Sequence, residues 1–182
     1  MFRFRNEKDR PYCSEEKIML NILFMGTPDF AQESLKCLVE ENYNIIGVVT
    51  NPDRPKGRGM KMIASPVKEY ALENGLDVYQ PEKVRKNVEF IDKIKELNPD
   101  IICVVAYGKI LPKEILDIPK YGCINVHASI LPKYRGAAPI QWAVLNGDKV
   151  TGVTTMYMDV GMDTGDTILV EETNIGKDNW NK

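Results

Sequence analysis

The chain has little of what metal and disulfide sites require: one histidine, His127, and four cysteines among 182 residues. None of the cysteines shows Cys-x-x-Cys spacing; they are Cys13, Cys37, Cys103 and Cys123. The last three lie in apolar segments, so we interpret them as reduced core thiols of a cytoplasmic protein rather than as a disulfide framework or a zinc site. With one imidazole and no paired thiols, the sequence predicts no metal site.

The sequence also lacks any apolar run of the length that a membrane span needs. Residues 1–17 carry charges throughout and have no apolar middle, unlike a signal peptide, and we interpret residues 1–18 as a disordered leader. Hydrophobic residues make up 43% and charged residues 27%, which is typical of one soluble globular domain. A net charge of −2 excludes wholesale coating of nucleic acid but permits a local basic patch.

Apolar runs alternate with helical patterns along most of the chain, which predicts an α/β fold. A strand at 21–26, a helix from Pro28 and a strand at 45–50 form a βαβ unit, expected to be parallel and right-handed. The continuous apolar run 101–106 is typical of a strand covered by helices on both faces. Further helices are predicted at 65–75, 84–97, 112–116 and 139–146, and further strands at 78–79 and 123–126.

The last third is β-rich, because segments 151–158 and 167–173 flank a loop that contains Gly and Asp. We therefore predict a doubly wound, mostly parallel sheet with helices on both faces and an antiparallel extension near the C-terminus. Ligands of such sheets bind beyond the carboxyl ends of the strands. Residues 26–28, 106–108 and 125–127 should converge on that edge.

Asn125 and His127 lie two positions apart on a predicted strand, so their side chains point to the same face. An amide donor beside an imidazole can hold a carbonyl that is becoming an oxyanion. Taken alone, such a pair is more often structural than catalytic. A carboxylate from the following loop would favour the imidazolium and orient the ring, but spacing does not decide whether Asp159 or Asp163 reaches His127.

Two other segments have alternative interpretations. The turn at 26–28 follows the first strand, but it lacks the G-x-G-x-x-G pattern and Pro28 removes a backbone donor, which disfavours a nucleotide cofactor there. Segment 51–68 is predicted to begin with an exposed loop and has one acid, Asp53. It fits a solvated surface and a phosphate contact equally well, with the cations Arg54, Lys56, Arg58, Lys61 and Lys68.

Four segments together resemble the formyltransferases that use 10-formyltetrahydrofolate, and in particular their methionyl-tRNA branch. They are FMGTPDFA at 24–31, TNPDRPKGRG at 50–59, SILPKYRGAAPI at 129–140 and MDVGMDTGD at 158–166. The resemblance extends from about residue 20 to 175. It implies a Rossmann-like catalytic domain over residues 19–176 and a catalytic trio of Asn125, His127 and Asp163.

The same resemblance implies the ligands. The formyl donor, 10-formyltetrahydrofolate, would be held at Ser129, Ile130, Leu131 and Pro132, and by the strand-end loops at Val105, Tyr107, Gly108 and Asp159. The acceptor, initiator methionyl-tRNA, would contact Arg54, Lys56, Arg58 and Lys61. A monomer is expected, with no membrane partner and no metal.

The chain also differs from the family at its C-terminal end. The family has a further C-terminal domain that helps hold tRNA, and we interpret residues 177–182 as a tail without it, so that activity could be impaired. Alternatives remain a folate-dependent transfer to a small amine, such as glycinamide ribonucleotide or an amino sugar nucleotide, and a non-catalytic remnant that binds folate or RNA. A nucleotide-binding Rossmann module is a further alternative, against which the Pro28 turn argues.

Overall fold

A computed structural model describes residues 19–56 and 60–176. The predicted leader 1–18, the tail 177–182 and the segment 57–59, which contains Arg58, lie outside the described residues, as does Cys13. The elements in chain order are β1 (Asn21–Gly26), α1 (Asp29–Glu40), β2 (Asn44–Val49), β3 (Arg54–Lys56), β4 (Lys61–Ile63), α2 (Pro66–Glu73), β5 (Val78–Tyr79), α3 (Val88–Leu97), β6 (Ile101–Val105), α4 (Lys113–Leu116), β7 (Cys123–His127), α5 (Pro139–Leu145), β8 (Val150–Tyr157) and β9 (Thr167–Asn174).

Seven strands form one sheet in the order β5-β2-β1-β6-β7-β8-β9. Strands β5, β2, β1, β6 and β7 are parallel, whereas β8 and β9 join by antiparallel pairing. The predicted fold class, including its antiparallel extension, is therefore confirmed. Gly26 pairs with Val105 and Val105 pairs with Val126, so the carboxyl ends of β1, β6 and β7 lie side by side.

Hydrophobic clusters cover both faces of the sheet. Leu23 and Met25 pack with α3 and α4 on one face, where Ile94 and Ile115 are buried. Phe24, the residue between them, packs on the other face against α1 and α2. Alternate residues of one strand thus enter opposite clusters, as expected for a parallel strand covered on both sides.

The prediction that Cys37 is a core thiol was wrong, because its side chain is exposed on α1. Leu35 faces the core. Two positions along a helix correspond to a rotation of about 200°, which turns Cys37 to the solvent side. Cys103 and Cys123 fit the prediction better: Cys123 is buried and Cys103 half-buried, and burial raises the pKa of the Cys103 thiol to about 11 and of Cys123 to about 12.

Two element boundaries also differ from the prediction. The helix expected from residue 84 begins at Val88, since the side chain of Asn87 caps it by accepting a hydrogen bond from the Phe90 N–H at 3.1 Å. Val84 is buried ahead of the helix, and Val88 is 69% exposed. Segment 51–62, expected to be a loop, contains β3 and part of β4, which pair as an antiparallel hairpin.

The described helices include none that is long and apolar enough to cross a membrane.

Candidate active site

The structure brings Asn125, His127 and Asp163 together on one face of the sheet. Asn125 Nδ2 donates to Asp163 Oδ1 at 3.3 Å, and His127 Nδ1 lies 3.6 Å from Asp163 Oδ2. The two β7 residues share this face because side chains alternate along a strand, and Val126 between them packs on the opposite face with the α1–α2 cluster. His127 is only 6% exposed.

Asp163 reaches the pair along a route that spacing does not reveal. Because β8 runs opposite to β7, its last residue, Tyr157, pairs with Ile124 near the start of β7. The loop 158–166 then folds back along β7, and Asp163 adopts a left-handed conformation with φ of 52°. Its Oδ2 also accepts a hydrogen bond from the Gly136 N–H at 2.8 Å, which ties the loop to the turn after β7.

The two ring nitrogens of His127 have different surroundings. Nε2 lies 2.8 Å from the main-chain oxygen of Tyr134. A carbonyl oxygen only accepts, so Nε2 carries a proton and donates it. The 3.6 Å separation between Nδ1 and Asp163 is longer than a hydrogen bond. Nε2 therefore holds the ring in place, and Nδ1 is the nitrogen left to engage a ligand.

Two hydrogen bonds to the side chain of Thr154 on β8 hold the turn that follows β7. Its Oγ1 donates to the Ser129 carbonyl at 2.7 Å and accepts from the Leu131 N–H at 3.1 Å. The Ser129 hydroxyl is fully buried and donates to the Lys133 carbonyl at 2.6 Å. Ser129 is thus engaged within the fold, whereas Ile130 and Leu131 are half-buried and Pro132 is exposed.

The predicted folate residues at the end of β6 lie beside β7 but differ in access. Val105 and the Tyr107 side chain are buried in the core, and burial raises the pKa of the Tyr107 phenol to about 12. The Tyr107 carbonyl accepts from Asn51 Nδ2 at 2.9 Å. Gly108 has φ of +77° and open space where a Cβ would lie. Asp159 is exposed in its loop and caps the Gly161 N–H.

The predicted tRNA contacts lie on the β3–β4 hairpin, which follows β2. Arg54 is exposed and pairs with Ile63, and the backbones of Lys56 and Lys61 pair opposite each other. Arg58 lies outside the described residues. The hairpin also exposes apolar side chains that the prediction did not single out: Met60 at 68%, Met62 at 58% and Ile63 at 41%.

The base of the hairpin is held by polar contacts. Both oxygens of Asp53 accept from Lys68 Nζ, at 2.9 and 2.7 Å, and Oδ1 also accepts from Gln80 Nε2. Donation from Lys68, and then from Gln80, lowers the pKa of the Asp53 carboxyl. Lys68 is therefore a structural partner of Asp53, unlike the exposed Arg54.

Asn51 connects this base to the rest of the strand edge. Its Nδ2 donates to Thr27 Oγ1 at 3.0 Å as well as to the Tyr107 carbonyl. Its Oδ1 is buried with no hydrogen-bond partner in the described part of the chain. A cleft of about 220 Å³ opens here, lined by Thr27, Pro28, Arg54 and Ser65 among others. The hairpin thus begins at the same carboxyl edge that carries β6 and β7.

An amide donor and an imidazole, lying 3.3 and 3.6 Å from the same carboxylate, form with it a set suited to acyl transfer, in which a carbonyl oxygen gains negative charge. In the described ranges, no cluster of three or more His, Cys, Asp or Glu residues has a metal-binding arrangement.

The sequence pattern of a family described as formyl transferase matches residues 20–181. Curated relatives named methionyl-tRNA formyltransferase include one from Clostridioides difficile strain 630, 66% identical over 156 residues, and one from Caldanaerobacter subterraneus subsp. tengcongensis, 62% identical over 159 residues. The matches cover 86% and 87% of this chain but 50% and 52% of those relatives. The chain thus spans about half the length of the curated relatives it matches.

Solved structures with a similar fold are more distant in sequence. A phosphoribosylglycinamide formyltransferase from Bacillus halodurans is 22% identical with a TM-score of 0.70, and the match covers 86% of this chain and 81% of that one. A formyltetrahydrofolate deformylase from Pseudomonas syringae pv. tomato is 19% identical with a TM-score of 0.66, covering 89% of this chain and 53% of that one. At these identities the likeness concerns the fold.

Proposed function

The chain belongs to the formyl transferase family, and we propose that it transfers a formyl group from 10-formyltetrahydrofolate to the α-amine of initiator methionyl-tRNA. The observation that carries the proposal is the convergence of Asn125, His127 and Asp163, which are separated by up to 38 positions in sequence. The names of relatives at 58–66% identity support the choice of substrate. Because the chain spans about half the length of these relatives, we propose their substrates and activity for this chain and do not infer them from the names alone.

The polar side chains of the trio and the accessible main chain at the carboxyl edge of the sheet suit a folate ligand. When bound, 10-formyltetrahydrofolate supplies an activated formyl carbon. Gly108, where open space replaces a side chain, would allow close approach to the backbone. Ile130, Leu131 and Pro132 would contribute apolar surface and main-chain groups, and Asp159 would contribute a carboxylate from the loop 158–166. The contribution of Val105 and Tyr107 would be through the backbone, since their side chains are in the core.

Asn125 and His127 would stabilise charge on the formyl oxygen. The Asn125 amide can donate to that oxygen, and His127 can donate from Nδ1 when that nitrogen is protonated. Donors that are already oriented stabilise a developing oxyanion without reorganising, and loss of one typically costs about a hundred- to a thousandfold in rate. The Nε2 bond to Tyr134 keeps the ring from turning away. His127 would also pass a proton toward the departing folate nitrogen.

Asp163 would orient both donors and assist removal of the proton from the attacking amine. Its Oδ1 holds the Asn125 amide, and Oδ2 faces the imidazole. An α-amine has a pKa of about 8, so a useful neutral fraction exists at pH 7 and a water held by Asp163 suffices as proton acceptor.

The basic hairpin would contact the phosphates of the tRNA acceptor end. Arg54 is exposed at its base, beside the strand edge on which the folate would bind. Lys56, Arg58 and Lys61 would add charge farther along, and such contacts gain free energy by releasing counterions.

A direct test offers methionyl-tRNA, glycinamide ribonucleotide and an amino sugar nucleotide in parallel, each with 10-formyltetrahydrofolate and the 182-residue chain. Formyl transfer to methionyl-tRNA alone is the expected result. Transfer only to a small amine would replace the substrate assignment, and binding of folate without transfer to any acceptor would contradict an enzymatic role for this chain.

A further inference from the structure

The contact that orients His127 is a main-chain carbonyl, and that carbonyl has its own support. Tyr134, which supplies it, has φ of +56°, a left-handed conformation that is uncommon for a residue with a side chain. A bulky residue keeps such a backbone only when its surroundings hold it there. The contacts of the Tyr134 side chain therefore determine whether its backbone keeps this conformation.

The phenol of Tyr134 is engaged as both donor and acceptor. Its O–H donates to Asp148 Oδ2 at 2.8 Å, and its oxygen accepts from Asn146 Nδ2 at 3.0 Å. Both partners follow α5, where Asn146 caps the helix and the Asp148 N–H donates to the Ala143 carbonyl at 3.0 Å. The ring is thus fixed at both sides of its hydroxyl to the end of a helix.

Lys133 also lies near the carboxylate of Asp148. Lys133 Nζ lies 3.5 Å from Asp148 Oδ2, but that lysine side chain is 67% exposed, whereas Asp148 is 21% exposed. An exposed ion pair of this length contributes little. The short bond from the phenol is therefore the principal interaction of the Asp148 carboxylate.

The segment that Tyr134 begins also holds the third member of the trio. Two residues after the carbonyl that accepts from His127, the Gly136 N–H donates to Asp163 Oδ2. A displacement of Tyr134 would therefore move the contacts of the imidazole and of the carboxylate together.

We propose that Tyr134 and Asp148 are a positioning pair: their hydrogen bond holds the Tyr134 carbonyl where it orients the His127 ring and keeps the proton on Nε2. In this role neither side chain would need to contact substrate. The catalytic consequence rests on the proposed function, while the effect on the ring does not. A pair that served only to attach α5 would stabilise the fold without influencing His127.

The single histidine makes the test direct, because an untagged, ¹⁵N-labelled chain has only one pair of imidazole nitrogen signals. Those signals report which nitrogen carries the proton. Tyr134→Phe removes only the hydroxyl, and Asp148→Ala removes its acceptor, whereas Asp148→Asn keeps an acceptor oxygen in place. Tyr121→Phe, which removes an exposed phenol before β7, is the matched control.

We expect Tyr134→Phe and Asp148→Ala to move the His127 signals toward a mixture of tautomers, with Asp148→Asn and Tyr121→Phe close to the unaltered chain. In the formyl-transfer assay, Tyr134→Phe and Asp148→Ala should lower kcat by about tenfold with little change in KM. Loss of the hydrogen-bond partner that orients a metal-bound histidine costs about ten- to a hundredfold, and we expect the smaller end of that range here. Circular dichroism and melting curves would verify that each variant is folded.

Unchanged nitrogen signals in folded Tyr134→Phe and Asp148→Ala would overturn the proposal, as would an equal change in Tyr121→Phe. The signals require no turnover. If the unaltered chain transfers no formyl group while the variants still shift the tautomer, the positioning stands and the proposed function fails.

Discussion

The trio at β7 and the basic hairpin differ in the exposure of their side chains and in the contacts that hold them. His127 and Asp163 have side chains only 7% and 14% exposed, and each is held by contacts from separate parts of the chain. The hairpin exposes Arg54 and Met62 and is held mainly at its base. Charge stabilisation in a reaction requires groups that are fixed beforehand. Binding to a long polyanion is favoured by charges that project from the surface, as the exposed Arg54 does.

This difference predicts different responses to mutation. No other group can replace a preoriented side chain in its site, so removing that side chain should abolish nearly all of the activity. Charges on an exposed hairpin act on phosphates additively and through solvent, so their loss is graded and depends on salt.

The largest effect is expected for His127→Ala. The variant should lose formyl transfer by at least about a hundred- to a thousandfold, because a preoriented donor is removed and no second imidazole exists in the chain. Initial rates with saturating methionyl-tRNA and folate measure it.

The matched control is Ile124→Ala, which truncates a side chain on the opposite face of the same strand. It should lower the melting temperature and keep most of the activity. Turnover that survives in His127→Ala would remove the imidazole from the mechanism, and with it the contrast between the two regions.

An intermediate effect is expected from neutralising the hairpin. Changing Arg54, Lys56, Arg58 and Lys61 to Gln together should weaken tRNA binding. It should also reduce the slope of log K against log salt by up to about 3.6, since each of the four phosphate contacts contributes roughly 0.7–0.9. Binding isotherms at several salt concentrations measure both quantities, and transfer chemistry at saturating tRNA should change little.

The control for this variant removes the same four charges elsewhere. Lys36, Lys93, Lys95 and Lys113 lie on helices with side chains 44–68% exposed. Equal losses in both quadruple variants would mean that net charge, and not the hairpin, attracts the tRNA.

The smallest effect concerns the base of the hairpin. The pKa of Asp53 is lowered in the folded chain, chiefly by donation from Lys68, so its charged form stabilises the fold above the unfolded pKa of 3.8. That stabilisation disappears as the pH falls through the lower folded pKa. Asp53→Asn should therefore lower the melting temperature by about 2–4 °C at neutral pH, the scale of a weak, partly exposed pair.

The difference between Asp53→Asn and the unaltered chain should narrow as the pH falls below the unfolded pKa of 3.8 and disappear once the pH is below the lower folded pKa. Asp77→Asn, at the exposed turn before β5, has the same change in charge and serves as the comparison. A gap that stays constant with pH would show that Asp53 acts through its shape and not its charge.

Much of the fold followed from the sequence, because apolar periodicity records which faces are buried. The alternation along 123–127 was enough to place Asn125 and His127 on one face, and the helix predicted from residue 65 is present as α2, with Ser65 as its N-cap. What periodicity does not record is the direction in which a loop returns. Asp163 reaches His127 only because β8 is antiparallel and its loop folds back.

The other missed features have a similar cause. The support for His127 is a carbonyl of Tyr134, and main-chain groups leave no residue-type signal. Asp53 was noted only as the one acid of segment 51–68, since its partners Lys68 and Gln80 are 15 and 27 positions away. The hairpin itself was predicted as loop because Pro, Gly and cations suggest exposure, which is correct, without specifying pairing.

The returning loop also has a consequence for how the chain is made. Asp163 comes 38 positions after Asn125, and its loop is closed by the bond from the Tyr157 N–H to the Asp166 carbonyl. Proteins emerge from the ribosome amino end first, and domains begin to fold in that order. The parallel strands through β7 can therefore assemble while Asn125 and His127 still lack their carboxylate. A ribosome that stalls before residue 158 would hold the parallel strands with Asn125 and His127 but without Asp163, and synthesis of the loop 158–166 supplies the third side chain.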